Sequence, residues 1–474
     1  MSDQVRVIPA ASTATVPPTA ARGTAPPRAS LLAAMLGFFV VALDAQIVNV
    51  TLPDIRHDLG GGLSGLQWIV TGYTLMFSAL LLLAGTLSDR IGARRAYGTG
   101  MVLFAVASAA CGFAPSLGFL VAARVVQGAG AALVTPTSLA LIREAYTDSV
   151  QRGKAIAYWA MGGSVAAAAG PVIGGALAQA DWRLIFFVNL PVAAAALTVL
   201  LTRVADSPRR PARFDWTGQA SAVLALGALT FAVIEGGSQG YGNGLIIGAF
   251  AVAAVSFAVF TVAQARGRYP MIPVRLFRSR MVTTALAVAF ITMAGFYGVV
   301  FLQSLYFQQL RGASAFQTGL LFLPMTALVA VLNPVAARVA ARFGRLVPII
   351  GGQLLMIAGL ITLSVLPATT PTPLIAVAMI PVGVGGSFTV PPVTSLLIDS
   401  VPPELAGTAS GVLNTFRQLG GSLGVAVFGA VVAQAGLLHG LRLSLLATSL
   451  LLVAGAAATI AVTRAARSSG GHSS

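Results

Sequence analysis

Fourteen apolar stretches, most of them about 20 residues long, follow one another along this chain and constrain it more than any other feature. They lie near 31–52, 66–87, 97–114, 118–141, 155–178, 185–202, 216–235, 244–264, 282–309, 317–337, 346–366, 373–397, 406–435 and 442–463. An α-helix rising ~1.5 Å per residue needs about 20 apolar residues to cross a hydrocarbon core of about 30 Å. A membrane β-barrel would instead alternate polar and apolar residues over segments of about 10, and no such alternation is present. Hydrophobic residues make up 57% of the 474 positions and charged residues 9%, more apolar surface than a water-soluble fold can hide. The chain reads as an all-α polytopic membrane protein with about fourteen transmembrane helices.

The formal charge of +16 raises a nucleic-acid reading, and the distribution of charge answers it. Arg6, Arg22 and Arg28 precede the first span. Arg90, Arg94, Arg95, Arg143, Arg152, Lys154, Arg203, Arg209, Arg210 and Arg213 then fall on the same side of the bilayer. Arg266, Arg268, Arg275, Arg278, Arg280, Arg338, Arg342, Arg345, Arg464 and Arg467 continue on that side, whereas the other side holds only Arg56, Arg183, Arg311 and Arg442. This is the positive-inside pattern repeated over short loops, and it predicts that both termini are cytoplasmic. One loop departs, 398–405, with Asp399 and Glu404 and no base. No soluble domain is left to carry a nucleic-acid-binding face. Residues 1–29, rich in Pro, Ala, Ser and Thr, read as a disordered tail rather than a signal peptide, and 466–474 as a second tail.

The single cysteine, Cys111, falls inside a span and reads as a small core residue, and the three histidines are scattered, so no metal cluster is expected. A phosphate-binding Gly-x-x-x-x-Gly-Lys loop, a nucleophile elbow and a zinc-protease histidine pair are all missing. The chain is therefore not expected to be an enzyme or an ATP-driven pump. An internal repeat organises it: Gly130, Val134, Pro136, Leu141 and Ile142 recur as Gly386, Val390, Pro392, Leu397 and Ile398, 256 residues on. Arg90-Ile91-Gly92 likewise recurs as Arg342-Phe343-Gly344 after 252. Two parallel halves of six helices, 30–203 and 281–465, then flank a linking segment, 204–280, with two extra helices.

Several motifs carry a resemblance. Gly85-Thr86-Leu87-Ser88-Asp89-Arg90-Ile91-Gly92-Ala93-Arg94-Arg95, between helices 2 and 3, resembles the loop signature of the major facilitator superfamily. Leu43-Asp44-Ala45-Gln46-Ile47-Val48-Asn49-Val50-Thr51-Leu52-Pro53 resembles the helix 1 signature of its fourteen-helix drug:proton antiporter branch. Arg124 with Gln127, Gly128 and Gly130 is similar to the helix 4 motif, and Gly163 with Gly170-Pro171-Val172-Ile173-Gly174-Gly175 to the antiporter motif of helix 5. Asn414-Thr415-Phe416-Arg417-Gln418-Leu419-Gly420-Gly421 also fits the branch, and the resemblance runs from Leu31 to Thr463.

Physical chemistry gives the same residues roles of their own. An ionised carboxylate in a lipid-facing helix costs several kcal/mol, so Asp44, the only charge in the apolar stretch of helix 1, should face the interior. Asp44 and Arg124 fall within about 3 Å in depth and can pair, and a carboxylate whose hold on a proton depends on a nearby guanidinium is a workable coupling element. A purely structural ion pair is the competing reading. Arg417, mid-helix with no acid in its own helix, needs a partner across the bundle or a wet cavity. Gly163, Gly170, Pro171, Gly174 and Gly175 allow close backbone approach and a sealed contact. Asp89, with Arg90, Gly85 and Gly92, is a candidate conformational latch, and Ala341 stands in its place in the second copy. Trp68, Tyr73, Phe77, Phe296, Tyr297 and Phe301, with Asn414 and Arg417, are candidates for a cavity lining, against an interfacial reading of the aromatics. Glu235, at the outer edge of helix 7, reads as reaching for the headgroups rather than carrying protons.

The resemblance implies proton-coupled efflux of lipophilic or cationic compounds by alternating access. It implies the proton gradient as energy source, no cofactor, a multi-pass bacterial plasma-membrane location and a monomeric chain whose partners are the lipid bilayer, a small substrate and protons. Two alternatives stand beside it: a dedicated exporter of one endogenous metabolite or antibiotic, and a membrane scaffold or sensor that does not transport.

Overall fold

The computed structural model describes residues 27–209, 211 and 213–470. Fourteen long helices and no strand occur among them. In chain order they are α1 (Pro27–Leu59), α2 (Leu63–Ile91), α3 (Ala93–Gly112), α4 (Leu117–Ala145), α5 (Ser149–Ala178), α6 (Leu184–Arg203) and α7 (Trp216–Gln239). Then come α8 (Gly244–Arg266), α9 (Arg280–Leu310), α10 (Ala315–Phe343), α11 (Leu346–Val365), α12 (Thr372–Asp399), α13 (Ala406–Ala435) and α14 (Leu437–Gly470). Thirteen are long and apolar enough to span a membrane. The exception is α3, where glycines, Ser108 and two arginines dilute the apolar content, yet Tyr97, Met101, Phe104 and Cys111 are fully buried.

Ends differ from the sequence reading where local chemistry intervenes. Pro53 has no N–H to give, and α1 tightens into a 3-10 turn at Val48–Thr51 before continuing to Leu59. The C-terminal tail expected from 466 is helical as far as Gly470. Most of the N-terminal tail expected over 1–29 lies outside the described residues, and 27–29 form the first turn of α1.

The two halves repeat one packing scheme. In the first, α1 packs on α5 and α6, α2 on α4, and α3 on α4; in the second, α9 packs on α13 and α14, α10 on α12, and α11 on α12. In each half a glycine of one helix faces a glycine of its neighbour. A Cβ on Gly130 of α4 would lie 2.9 Å from the Gly100 carbonyl of α3, and one on Gly385 of α12 would lie 2.5 Å from that of Gly352 on α11. The packed glycine of the second half is thus Gly385, one residue before the Gly386 that the repeat predicts, whose own Cβ would meet open space.

Between the halves, α5 faces α10 and α2 faces α13. At the arginine-poor end one apolar core is continuous across both halves, joining Ile47, Val48 and Ile69 to Val299, Phe301, Phe307 and Val425. At the arginine-rich end each half keeps a core of its own, one around Tyr97 and Phe104 and the other around Leu286 and Val393. The molecule is closed at the end that carries few arginines. There Gln67 Nε2 donates to the carbonyls of Val425 and Ala426 at 3.2 and 2.8 Å. From the other half Ser304 Oγ donates to the Asn49 carbonyl at 2.6 Å and Gln308 Nε2 to that of Val50 at 2.9 Å.

The extra hairpin, α7 and α8, lies over the α2–α13 seam. Gln219 Nε2 donates to the Ala79 carbonyl of α2 at 2.9 Å near one end of α7, and near the other end the Trp68 indole donates to Glu235 at 2.9 Å. Toward α13 its contact is small residue on small residue, with a Cβ on Gly237 only 2.8 Å from the Ala430 Cα.

Candidate functional site

Asp44 of α1 and Arg124 of α4 are 0% and 1% exposed and form an ion pair, Nη1 to Oδ2 at 2.5 Å. Burying two charges is costly unless their remaining hydrogen-bonding capacity is met, and here most of it is. The other carboxylate oxygen of Asp44 accepts from Gln127 Nε2 at 2.9 Å and from Asn189 Nδ2 at 2.8 Å. Arg124 also donates to Gln127 Oε1 at 2.7 Å and, through Nε, to the Ile69 carbonyl at 3.1 Å. Its guanidinium lies 4.3 Å from the centre of the Tyr73 ring, which spreads the charge over a π face, and 5.8 Å from that of Phe186. The Tyr73 hydroxyl donates in turn to the Val41 carbonyl at 3.3 Å.

A second layer extends the network into α3 and α6. Asn189 Nδ2 also reaches Ser108 Oγ at 3.0 Å, and Ser108 donates to the Phe186 carbonyl at 2.8 Å. Cys111 lies with its sulfur 3.6 Å from Gln127 Oε1, a core residue bordering the cluster. Five helices of one half thus converge on a single carboxylate. Asp44 is held from all sides and does not open toward a path between the halves in this conformation.

The glycines of α5 serve two contacts. Cβ atoms on Gly170 and Gly174 would meet Gln46 Cβ at 2.8 Å and the Ile47 carbonyl at 2.6 Å, so these glycines seat α5 on the α1 segment just beyond Asp44. A Cβ on Gly175 would lie 2.4 Å from the Ala315 carbonyl, and one on Gly319 would lie 2.3 Å from that of Pro171, so this pair closes α5 against α10. Gly163 makes room for the ring of Phe38, which stacks on Trp159 with centroids 3.9 Å apart.

The loop between α2 and α3 is anchored to the linking segment just after α6. Gly92 takes φ of 88°, and a Cβ there would press on the Ser207 carbonyl at 3.0 Å. Ser207 Oγ accepts from the Arg94 N–H at 3.0 Å and donates to Glu144, while the Arg94 guanidinium bonds Asp206 at 2.5 Å and holds that carboxyl below the usual carboxylate range. Arg90 lies over the Phe214 ring at 5.1 Å. Asp89 is exposed with no hydrogen-bond or ion-pair partner among the described residues, and Gly85 faces open space. In the second half the Asp399 carboxylate pairs with Arg345.

The aromatic candidates do not form one lining. Phe301 is buried in the core shared by the halves, Phe77 in that of the first half, Tyr73 lies under Arg124, and Trp68 is engaged with Glu235. Phe296 and Tyr297, edge to face at 5.8 Å, are half-buried, as are Asn414 and Arg417. The sequence reading missed Asn189 and Ser108. A lone amide in an apolar span is the signal that points to Asn189, whereas Ser108, small and surrounded by alanine, gives none.

Two six-helix bundles, the first enclosing an ion pair, with an added helical pair, define a polytopic membrane protein of transporter architecture. Residues 34–425 match the Major Facilitator Superfamily, and the chain belongs to that family. It is 38% identical over 406 residues to the multidrug resistance protein Stp of Mycobacterium tuberculosis, covering 85% of this chain and 75% of that one. It is 38% identical over 446 residues to the methylenomycin A resistance protein of Streptomyces coelicolor, covering 93% of each. Among solved structures, a D-xylose-proton symporter superposes with a TM-score of 0.65 at 16% identity, over 90% of this chain and 97% of that one, which fixes the fold alone.

Proposed function

We propose that this protein exports lipophilic or cationic compounds across the bacterial plasma membrane in exchange for protons, by alternating access between its halves. Its termini are cytoplasmic, one chain is the working unit, and the proton gradient supplies the energy without a cofactor. The observation that carries the reading is the enclosed Asp44, whose three partners come from two other helices of the same half, α4 and α6. A proton arriving on Asp44 removes its charge, so Arg124 must then rely on Gln127, the Ile69 carbonyl and the Tyr73 ring. That change of balance occurs where α5 is seated on α1 through Gly170 and Gly174, and α5 is also one wall of the seam between the halves. Protonation therefore acts on the contact that separates the two conformations, and the compound need not touch Asp44. The names of the related resistance proteins favour export over import.

The test is Asp44→Asn, which keeps the shape of the side chain and one of its two acceptor oxygens. In inside-out vesicles under an imposed pH gradient, uphill accumulation of a lipophilic fluorescent dye is expected to be lost while the protein stays in the membrane. Accumulation near the wild-type rate in this variant would make Asp44 a structural residue and end the proposal.

A further inference from the structure

The charge left over inside the bundle is Arg417. It sits on α13, 11 residues from the start of that helix at Ala406, or about 16 Å along the axis. Its Nε is enclosed and has no hydrogen-bond partner, and no carboxylate among the described residues reaches it. Arg124 carries the other interior guanidinium, and that one is matched by Asp44. Asn414 and Gly421 share the face of Arg417 by their helical spacing, and the Tyr297 ring of α9 fits against Gly421, where a Cβ would lie 3.0 Å from it. The Tyr297 hydroxyl is within electrostatic reach of Arg417. None of Arg417, Asn414 and Tyr297 makes a side-chain hydrogen bond within the described residues, although all three are half-buried. The site thus carries more donors than acceptors and no carboxylate among the described residues, with the rings of Phe296 and Tyr297 supplying apolar surface.

We infer that Arg417, Asn414 and Tyr297 form a binding site for the acidic group of a lipophilic anion. A guanidinium is a permanent cation, and leaving its enclosed Nε unmatched is costly. A carboxylate or an acidic phenolate on the ligand matches the donors and the charge together. A lipophilic cation meets repulsion at the same place. This inference rests on the export reading and narrows its substrate class from lipophilic or cationic compounds to lipophilic acids.

The test uses the purified full-length chain and two dyes built on the same ring system, anionic fluorescein and cationic rhodamine 6G, with binding read by fluorescence anisotropy. Fluorescein is expected to bind saturably and more tightly than rhodamine 6G. Arg417→Gln should weaken fluorescein by about tenfold or more, the order of one lost charge-assisted hydrogen bond, and leave rhodamine 6G unchanged or stronger. Should Arg417→Gln fail to fold, Tyr297→Phe is the second variant, with the same direction and a smaller loss. Tighter binding of rhodamine 6G, saturable binding of neither dye, or fluorescein affinity indifferent to both variants overturns the inference. Transport in reconstituted vesicles separates this from the export reading. Gradient-driven movement of fluorescein that persists undiminished in Arg417→Gln sinks the anion site and leaves proton exchange standing. Dye movement indifferent to the pH gradient, with the binding pattern intact, does the reverse.

Discussion

Replacing Gly175 with alanine adds one methyl group at the seam where α5 meets α10. Its Cβ would lie 2.4 Å from the Ala315 carbonyl and 2.6 Å from the Phe316 Cα, where ordinary contact begins at 3.4 Å. Both neighbours are backbone, so no side chain can rotate away and the helices must part locally by about 1 Å. Overpacking of this kind costs about 1–3 kcal/mol. The cost falls on the conformation closed at the arginine-poor end, because opening that end relieves it. The equilibrium should therefore move toward the opened conformation by about 5–150-fold. The assay uses Ser304→Cys in a Cys111→Ala background, since residue 304 is fully buried beneath the Asn49 carbonyl while that end is closed. A membrane-impermeant maleimide added from outside should label this cysteine at least about fivefold faster when Gly175→Ala is present. Gly351→Ala, whose methyl would meet open space, is the silent control. An unchanged labelling rate, in protein that reaches the membrane in normal amounts, would show that the seam repacks without moving the halves and would refute the reasoning.

Two further outcomes are expected. Asp89→Asn should leave the Tm of the purified protein unchanged, since that carboxylate has no partner among the described residues here, yet slow transport by removing a contact made only in the other conformation; full transport would return Asp89 to a solvated loop residue. Asn189→Leu should lower the Tm, because a donor to a buried carboxylate is worth about 1.5–3 kcal/mol, and an unchanged Tm would show that Asn189 contributes nothing to holding Asp44.

Much of the site was legible because charge in an apolar helix is so costly that it advertises itself. Asp44 and Arg124 stood out on that ground, and their depths agreed before any contact was known. The glycines of α5 were legible as close-approach positions, though not which neighbour each one faced; Gly170 and Gly174 turn to α1, and Gly175, one residue further, turns to α10. Neutral polar residues were poorly legible. Gln67, Ser304 and Gln308 close the arginine-poor end by donating to backbone carbonyls, and a carbonyl leaves no mark in a sequence. Aromatic residues misled for a related reason. Their periodicity is the same whether they face a cavity, lipid or core, and Phe77 and Phe301 belong to the core. The repeat located the second glycine contact to within one residue, because Pro391 and Pro392 stand side by side and either satisfies the spacing.

The fastening of α7 decides which parts of the molecule travel as one body. Bonds from Gln219 to Ala79 and from Trp68 to Glu235 hold both ends of α7 to α2, while toward α13 there is a contact of small residues at Gly237 and Ala430. In the alternating-access cycle proposed above, tilting of the halves would carry the hairpin of α7 and α8 with the first six helices and slide α13 beneath it. The fourteen helices would then move as eight against six about an off-centre pivot.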